Sequence, residues 1–314
     1  MQGLVIRSQS GFYTIETEIG QLICHLRGKL QKERIHGDLV AIGDWVDFTP
    51  LDDHTGVIEK IITRKCMISR SAPISRKAKS DDTTSTGSDF NRSYQQILIA
   101  NPDQLVLVFS ITKPTPRFGM IDRFLVISEK QDVPVFIVVN KIDLISKELA
   151  ETYFAPYKDL DYDVIYTSAF SGQGLEDLMN RLQAKVSLLT GPSGAGKTSL
   201  LNSIQPGLGL EVRQVSHVTS KGRHTTVVRQ LFPLDGGGYV ADTPGLKALA
   251  FWDIKPEELD GYFPEIRKLV ANCQFSDCSH SHEPGCAVLK AVQEGIIHPK
   301  RYSSYLRIRY GDVE

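Results

Sequence analysis

The sequence lacks long apolar runs and a strong charge imbalance. No apolar stretch approaches the roughly 18 residues that a membrane-spanning helix needs, and the start, MQGLVIRSQSGFYTIE, has no secretion-signal pattern. We therefore expect a cytoplasmic protein that does not enter a membrane. The net charge is −1 and the pI is near 6.7, whereas proteins that coat nucleic acid usually exceed a pI of about 9. Any RNA contact must therefore be local.

Cysteine is scarce, and the five cysteines do not suggest a disulfide framework in a reducing compartment. Three of them form the late pattern Cys273-x4-Cys278-x-His280-x5-Cys286. Three thiolates and an imidazole suit tetrahedral Zn²⁺, and four protein ligands leave no open position for a reacting water. The pattern predicts one structural zinc ion. His282 is a second imidazole within reach, and the spacing alone does not exclude it.

Short alternating runs punctuated by glycine fill the first 64 residues. Five or so strands in that length predict a small β-barrel over residues 1–68, most commonly an OB-fold that reads nucleic acid. A barrel that binds only protein is the alternative, because alternation predicts the fold and not the ligand. Residues 69–95 then turn polar and predict a linker or loop. We favour a solvated hinge there over phosphate contacts by its basic residues.

The middle of the chain alternates apolar strands with helical stretches. The runs at 105–109, 133–139, 164–166, 186–190 and 239–241 are almost entirely apolar, as in the buried parallel sheet of an α/β domain. We assign residues 96–252 to this domain. Ligands of such sheets bind at the carboxyl ends of the strands, and each motif described next follows a strand.

A phosphate-loop motif, GPSGAGKT, follows the strand at 186–190 and precedes a helix. Its glycines let backbone N–H groups surround phosphates at a helix N-terminus. Lys197 is expected to reach the β- and γ-phosphates, and the Thr198 hydroxyl to bind Mg²⁺. The residues of this loop that we predict to bind GTP are Gly191, Pro192, Ser193, Gly194, Ala195, Gly196, Lys197, Thr198 and Ser199.

Two further motifs predict that the base is guanine. Asn140-Lys141-Ile142-Asp143 has the form NKxD, in which the Asp143 carboxylate accepts hydrogen bonds from the N1–H and the amine of guanine. Adenine offers no such pair of donors. Ser168 and Ala169 follow the next strand and are expected to support the guanine O6 and the base-binding loop.

Asp242-Thr-Pro-Gly245 has the DxxG form, in which Asp242 holds Mg²⁺ through water and the Gly245 amide senses the γ-phosphate. The polar segment 220–226 lies between this motif and the phosphate loop. Its Thr225 or Thr226 is expected to approach Mg²⁺ as the switch threonine, and the sequence does not separate the two. An ordinary polar loop that leads into a strand at 227–232 is the alternative.

The order of the motifs is permuted, since NKxD and Ser168-Ala169 precede the phosphate loop instead of following DxxG. Joining the natural ends of a GTPase domain is reasonable because domain termini often lie close together. The join is predicted near residues 183–186. The DxxG switch then leads directly into a C-terminal module at 253–314 that contains the zinc motif.

Leu246 follows DxxG, where Ras-like enzymes have the glutamine that orients the attacking water. Leucine cannot do this, so we expect slow intrinsic hydrolysis and activation by a partner. His224 is our candidate for positioning that water, with a solvent-facing or RNA-contacting histidine as the alternative. We assign catalytic roles to His224, Lys197 and Thr226.

Near the C-terminus, basic residues and tyrosines interleave at 300–310, which suits either RNA contact or packing on the zinc module.

Together, the barrel, the permuted motifs GPSGAGKTS, NKID, TSA, KGRHTT and DTPG, and the zinc motif resemble the bacterial small-subunit-dependent GTPase A family (RsgA or YjeQ). The resemblance covers nearly the whole chain. It implies a cytosolic factor that binds the 30S subunit through 16S rRNA, hydrolyses GTP to GDP under stimulation by the subunit, and leaves. It also favours His280 over His282 as the zinc ligand. The polar stretch at 77–88 departs from the family pattern as a loop insertion.

Other functions fit parts of the sequence. A GTP-sensing RNA scaffold that does not hydrolyse GTP is the main alternative, with Leu246 as the sign of lost catalysis. A zinc-dependent RNA-binding protein and a P-loop kinase rank lower. We expect a monomer, because nothing in the sequence demands more.

Overall fold

The computed structural model describes residues 1–28, 30, 39–71, 95–208, 229–242 and 254–311. These residues form two compact units. Unit 1 holds the described residues among 1–102, 184–188 and 216–252, and unit 2 those among 103–183, 189–215 and 253–314. Across the described ranges, no helix combines the length and the apolar character that crossing a membrane requires.

The strands are, in chain order, β1 (Gln2–Gln9), β2 (Phe12–Thr17), β3 (Gly20–Leu26), β4 (Trp45–Pro50), β5 (Thr55–Ile61), β6 (Met67–Ser71), β7 (Gln95–Ala100), β8 (Gln104–Ser110), β9 (Val135–Asn140), β10 (Val164–Tyr166), β11 (Val186–Thr190), β12 (Arg229–Gln230), β13 (Phe232–Pro233) and β14 (Tyr239–Asp242). The α-helices are α1 (Phe118–Gln131), α2 (Lys147–Lys158), α3 (Leu175–Leu182), α4 (Lys197–Ile204), α5 (Pro264–Arg267), α6 (Ala287–Gln293) and α7 (Pro299–Tyr310). Single turns of 3₁₀ helix occur at Ile142–Leu144, Pro206–Leu208 and Val270–Asn272, and a longer one at Pro256–Tyr262.

The first five strands form a closed barrel in unit 1. The strand order is β1-β2-β3-β5-β4, and β1 also pairs with β4. All these pairs are antiparallel except β3 with β5. Inward-facing side chains, including Val5, Ile15, Val46 and Ile58, are fully buried. The predicted N-terminal OB-type barrel is confirmed, because period-two alternation puts every second side chain in one small core.

The polar stretch at 69–95 is bounded by paired strands. Strand β6 pairs antiparallel with β7, so that Ile68 lies opposite Ile99 and Ser71 opposite Gln95. The first residues that we assigned to the linker therefore belong to a strand. Residues 72–94 lie outside the described part of the chain.

The parallel sheet of unit 2 carries the predicted motifs. Strand β8 runs parallel to β9, and β9 runs parallel to β10. Strand β8 is buried along its whole length, and β9 is buried at every residue except its first. Such nearly continuous burial explains why the runs are apolar without alternation. The last residues of β11 continue this sheet beside β8.

The strand predicted at 227–232 is divided in unit 1. Residues Arg229–Gln230 form β12, which pairs antiparallel with β1 of the barrel. Residues Phe232–Pro233 form β13, which pairs antiparallel with β14. The intervening Leu231 is fully buried, and its backbone N–H donates to the Ile6 carbonyl oxygen at 2.8 Å. Residues 227 and 228 are not among the described residues.

A buried ion cluster in unit 2 joins the C-terminal helices to the helices of the sheet. Arg301 of α7 donates from Nε and Nη2 to the two carboxylate oxygens of Glu265, at 2.7 and 3.1 Å, and from Nη1 to Asp122 of α1. The Tyr157 hydroxyl donates to the same Asp122 oxygen at 2.9 Å. Burial raises the pKa of Asp122, and the positive charge of Arg301 opposes that rise. Arg301 thus pairs with carboxylates from both parts of unit 2, Asp122 and Glu265.

Candidate functional site

The loop after β11 requires glycine at defined positions. Gly191, Gly194 and Gly196 have φ angles of 144°, 81° and 92°, which disfavour other residues. A Cβ on Gly191 would collide with the Val108 carbonyl oxygen, and a Cβ on Gly196 would collide with the side-chain amide of Asn140. Positive φ angles at all three positions, and close packing at two of them, account for the glycines of this loop.

Helix α4 begins directly after this loop, with Gly196 as its N-cap. Its first turn contains Lys197, Thr198 and Ser199, so the predicted loop residues surround the N-terminus of a helix. The Lys197 ammonium donates to the carbonyl oxygens of Gly191 and Pro192, at 2.9 and 3.1 Å. This positive charge and the helix N-terminus together favour an anion at the loop.

Asn140 joins the three loops that follow β9, β10 and β11. Its side chain is 1% exposed. The amide nitrogen donates to the Ala195 carbonyl oxygen at 2.9 Å, and the amide oxygen accepts from the Ala169 N–H at 3.2 Å. One buried amide thus fixes the phosphate loop against the loop that contains Ser168 and Ala169.

Lys141 makes a second link to the phosphate loop. Its backbone has a φ of 65°, and its ammonium donates to the carbonyl oxygens of Gly194 at 2.7 Å and Lys113 at 2.6 Å. Burial lowers the pKa of Lys141, and the nearby Asp143 opposes this shift. The aliphatic part of this side chain therefore spans from the NKxD motif to the phosphate loop.

Asp143 is exposed, and it is oriented by a buried neighbour. The hydroxyl of Ser168 donates to Asp143 Oδ1, and the same hydroxyl accepts from the Ser171 N–H at 3.1 Å. Ser168 is fully buried. A carboxylate fixed in this way can accept two hydrogen bonds from a base that presents two adjacent donors, which is the arrangement in guanine.

The DxxG and switch motifs are less fully described. Asp242 is the last residue of β14 in unit 1, and its side chain is outside the described part of the chain. His224, Thr225, Thr226, Gly245 and Leu246 also lie outside it. The structure therefore brings together the NKxD, Ser168-Ala169 and phosphate-loop residues.

Two residues at this site, Ser203 and Phe170, belong to none of the predicted motifs. The Ser203 hydroxyl of α4 donates to the Ala169 carbonyl oxygen at 3.2 Å, which adds a tie between the phosphate-loop helix and the base loop. Phe170, the next residue, is 93% exposed. Phe170 follows the TSA motif directly, whereas Ser203 reaches it from α4.

The predicted metal ligands also converge in unit 2. The ligand atoms of Cys273, Cys278, His280 and Cys286 all lie within 4.8 Å of one another. His280 Nδ1 lies 3.6 Å from Cys273 Sγ and 3.5 Å from Cys286 Sγ, and these two sulfurs are 4.0 Å apart. A tetrahedron with Zn–S bonds of about 2.3 Å has S–S edges of roughly 3.8 Å. The donor set and its spacing therefore fit one zinc ion.

The surroundings of this cluster distinguish the two histidines. His280 is fully buried, and its Nε2 lies 3.4 Å from an Asp260 carboxylate oxygen, as is typical of a zinc-bound histidine. His282 is exposed. The Tyr302 and Tyr305 hydroxyls of α7 donate to the carbonyl oxygens of His280 and Ser279, at 2.8 and 3.1 Å. These two tyrosines therefore pack on the zinc motif. Of the two alternatives for residues 300–310, packing on the zinc module is the one that Tyr302 and Tyr305 follow.

Comparison with known proteins assigns these features to one family. The family model described as RsgA GTPase matches residues 81–252, and the model for the RsgA N-terminal domain matches residues 2–58. The chain belongs to the RsgA GTPase family. This confirms the resemblance drawn from the permuted motifs and the zinc pattern.

Relatives with the RsgA name cover nearly the whole chain. The "Small ribosomal subunit biogenesis GTPase RsgA" of Gemmatimonas aurantiaca is 40% identical over 98% of this chain and 96% of its own length. The crystal structure of YjeQ from Thermotoga maritima has a TM-score of 0.76 and 35% identity, covering 99% of this chain and 97% of that one. YloQ, described as a circularly permuted GTPase, has a TM-score of 0.72 and 32% identity, covering 99% and 94%. The fold of this chain is therefore that of a permuted RsgA-family GTPase.

Replacement of Asn140 tests the link between the loops. We expect Asn140→Ala to weaken the binding of a fluorescent GDP analogue by about tenfold to a hundredfold. The reason is that the buried Ala195 carbonyl and the partly buried Ala169 N–H each lose a partner, and leaving a buried group unpaired costs about 1–3 kcal/mol. Asn272→Ala, at an exposed asparagine, is the matched control and should bind as the wild type does. Unchanged affinity in a folded Asn140→Ala protein would show that the bridge does not support the site.

Proposed function

We propose that this chain is a GTPase that acts in late maturation of the small (30S) ribosomal subunit. It binds the subunit through 16S rRNA, hydrolyses GTP to GDP and phosphate under stimulation by the subunit, and dissociates. One observation carries this proposal: the base-reading and phosphate-binding loops are tied together by Asn140 in a chain that resembles named small-subunit biogenesis GTPases over almost its whole length. A scaffold that does not hydrolyse GTP is not favoured by that resemblance.

The described site supports a division of roles in nucleotide binding. Asp143 selects guanine, while the 191–196 backbone and the start of α4 hold the phosphates. Lys197 exchanges its contacts with the Gly191 and Pro192 carbonyls for the β- and γ-phosphates, since an anion is the better partner for an ammonium. Thr198, Asp242 and either Thr225 or Thr226 are the residues that would hold Mg²⁺. When bound with GTP, the ion neutralises charge on the phosphate oxygens.

Hydrolysis requires a group that positions water, and Leu246 has no polar atom for this task. We assign the role to His224, and we assign catalytic roles also to Thr226 and to Lys197, whose ammonium stabilises negative charge on the phosphates. Water then adds to the γ-phosphorus as the bond to the β–γ bridging oxygen breaks, which yields GDP and inorganic phosphate. The 30S subunit completes this arrangement, so hydrolysis follows binding to the subunit.

The proposed domains are an OB-fold barrel at 1–68, a polar segment at 69–95 whose ends belong to β6 and β7, the permuted GTPase at 96–252 and a zinc-binding module at 253–314. The chain acts as a cytoplasmic monomer. The shared packing of α1 and α7 around Arg301 supports transmission of the nucleotide state to the zinc module.

Multiple-turnover phosphate release tests the enzymatic proposal. We expect slow release by the protein alone and a clear increase as purified 30S subunits are added, with no increase from 50S subunits. Lys197→Ala should abolish the stimulated rate, whereas Lys290→Ala, at an exposed lysine, should preserve it. Stimulation by 50S subunits alone, or no release above background with any particle, would contradict the proposal.

The role of His224 has its own test in the same assay. A His224→Ala protein with full stimulated turnover and unchanged GTP affinity would exclude the water-positioning role of His224.

Metal analysis tests the zinc module. We expect one zinc ion per chain in the purified protein. Cys273→Ser should lower both the zinc content and the temperature of unfolding, because structural zinc contributes directly to folding. Cys66→Ser removes a cysteine that is outside the cluster and should keep the full zinc content. Equal zinc in both variants would mean that the ion is held elsewhere.

A further inference from the structure

A basic cavity lies between α1 and α7 in unit 2, apart from the nucleotide-binding loops. Its volume is about 490 Å³, and its walls come from the first turns of α1 and from the outer face of α7. Four of its ten lining residues are cationic, namely Arg117, Arg123, Lys300 and Arg307. None of the described residues that line it is acidic. In a chain of net charge −1, this concentration of four positive charges is a local exception.

The cations are held by the fold and also remain accessible. Lys300 lies over the rings of Phe118 and Tyr153, with its Nζ 4.7 and 5.3 Å from their centroids. These contacts limit the motion of a side chain that is otherwise exposed. Arg117 and Arg307 are exposed, and Arg123 is partly buried. Burial also lowers the pKa of Arg123, although its charge is retained at neutral pH.

Backbone and hydroxyl donors add to this charge. Helix α1 is 14 residues long and begins at the cavity, and its N-cap Arg117 makes no side-chain capping hydrogen bond. The N–H groups of its first turn, including that of Gly119, therefore carry the partial positive charge of a long helix. Ser303 brings a hydroxyl group to the opposite wall, whereas the buried Ser304 hydrogen-bonds to Asp122.

The geometry favours an extended polyanion over a single small anion. Arg123 lies on α1, six residues after the N-cap Arg117, and Lys300 and Arg307 are seven residues apart on α7, about 10 Å along the helix axis. Cations spread along two helices in this way match the repeating charges of a nucleic-acid strand better than they match the charge of one small anion.

We propose that this cavity, which we call the α1–α7 basic groove, binds the phosphate backbone of an RNA strand. The proposal rests on the proposed function, because the RNA available to a 30S assembly factor is 16S rRNA. It adds a phosphate-binding surface formed jointly by the GTPase helix α1 and the C-terminal helix α7. Since α7 also packs on the zinc motif through Tyr302, the groove makes RNA contact depend on the correct docking of that module.

The salt dependence of 30S binding tests the groove. We compare Arg117→Ala/Arg307→Ala with Lys268→Ala/Lys290→Ala, which removes two exposed cations elsewhere in unit 2. Each lost phosphate contact lowers the slope of log affinity against log salt by roughly 0.7–0.9. The groove variant should therefore show a slope smaller by roughly 1.4–1.8, while the control keeps the wild-type slope. Between 50 and 200 mM salt, the wild type should lose roughly tenfold more affinity than the groove variant.

Two further arms make the result decisive. Arg117→Lys/Arg307→Lys keeps the charges and should restore most of the slope, which a purely structural role would not require. Affinity for GDP should be unchanged in every variant, since none of these residues lies at the nucleotide loops. A groove variant that binds with the control's affinity and slope would overturn the proposal. Lost affinity with an unchanged slope would also overturn it, since that result indicates a protein contact. Failure of the wild type to bind 30S subunits would instead reject the proposed function.

Discussion

The nucleotide site depends first on one buried side-chain amide that joins its loops. Asn140 ends β9, and its side chain reaches the phosphate loop at Ala195 and the base loop at Ala169. Because this side chain is 1% exposed and bonds to both loops, it holds the three loops in one relative position. Lys141 repeats the link through Gly194. Base recognition and phosphate binding are thereby held in register before any nucleotide arrives.

This constraint explains why a permuted chain can retain the site. The loops meet because β9, β10 and β11 end at the same edge of one sheet, and that arrangement is independent of the order in which the chain visits the strands. The ion cluster around Arg301 extends the same body to the C-terminal module, where Asp122 of α1 and Glu265 share one guanidinium. A module that packs on the GTPase helices through paired buried charges cannot shift without breaking those pairs.

Much of the fold and site could be predicted from local patterns. The barrel strands follow from period-two alternation, and the Gly191–Thr198 loop follows from glycine spacing after an apolar strand. Contacts between distant residues had no such signal: Asn140 to Ala195 and Arg301 to Asp122 join positions 55 and 179 residues apart. Spacing also could not separate His280 from His282. Burial and the Asp260 carboxylate separate them, and both arise only from the folded chain.

The central claim is that Asp143, fixed by Ser168, selects a guanine nucleotide. Competition between GTP and xanthosine triphosphate for wild-type and Asp143→Asn protein tests it most directly. Xanthine has a carbonyl where guanine has its amine, so an asparagine amide can donate to it. We expect Asp143→Asn to lose GTP affinity and to reverse the preference, by about tenfold or more in each direction, while Asp159→Asn at an exposed aspartate changes neither. An Asp143→Asn protein that still prefers GTP as strongly as the wild type would contradict the account.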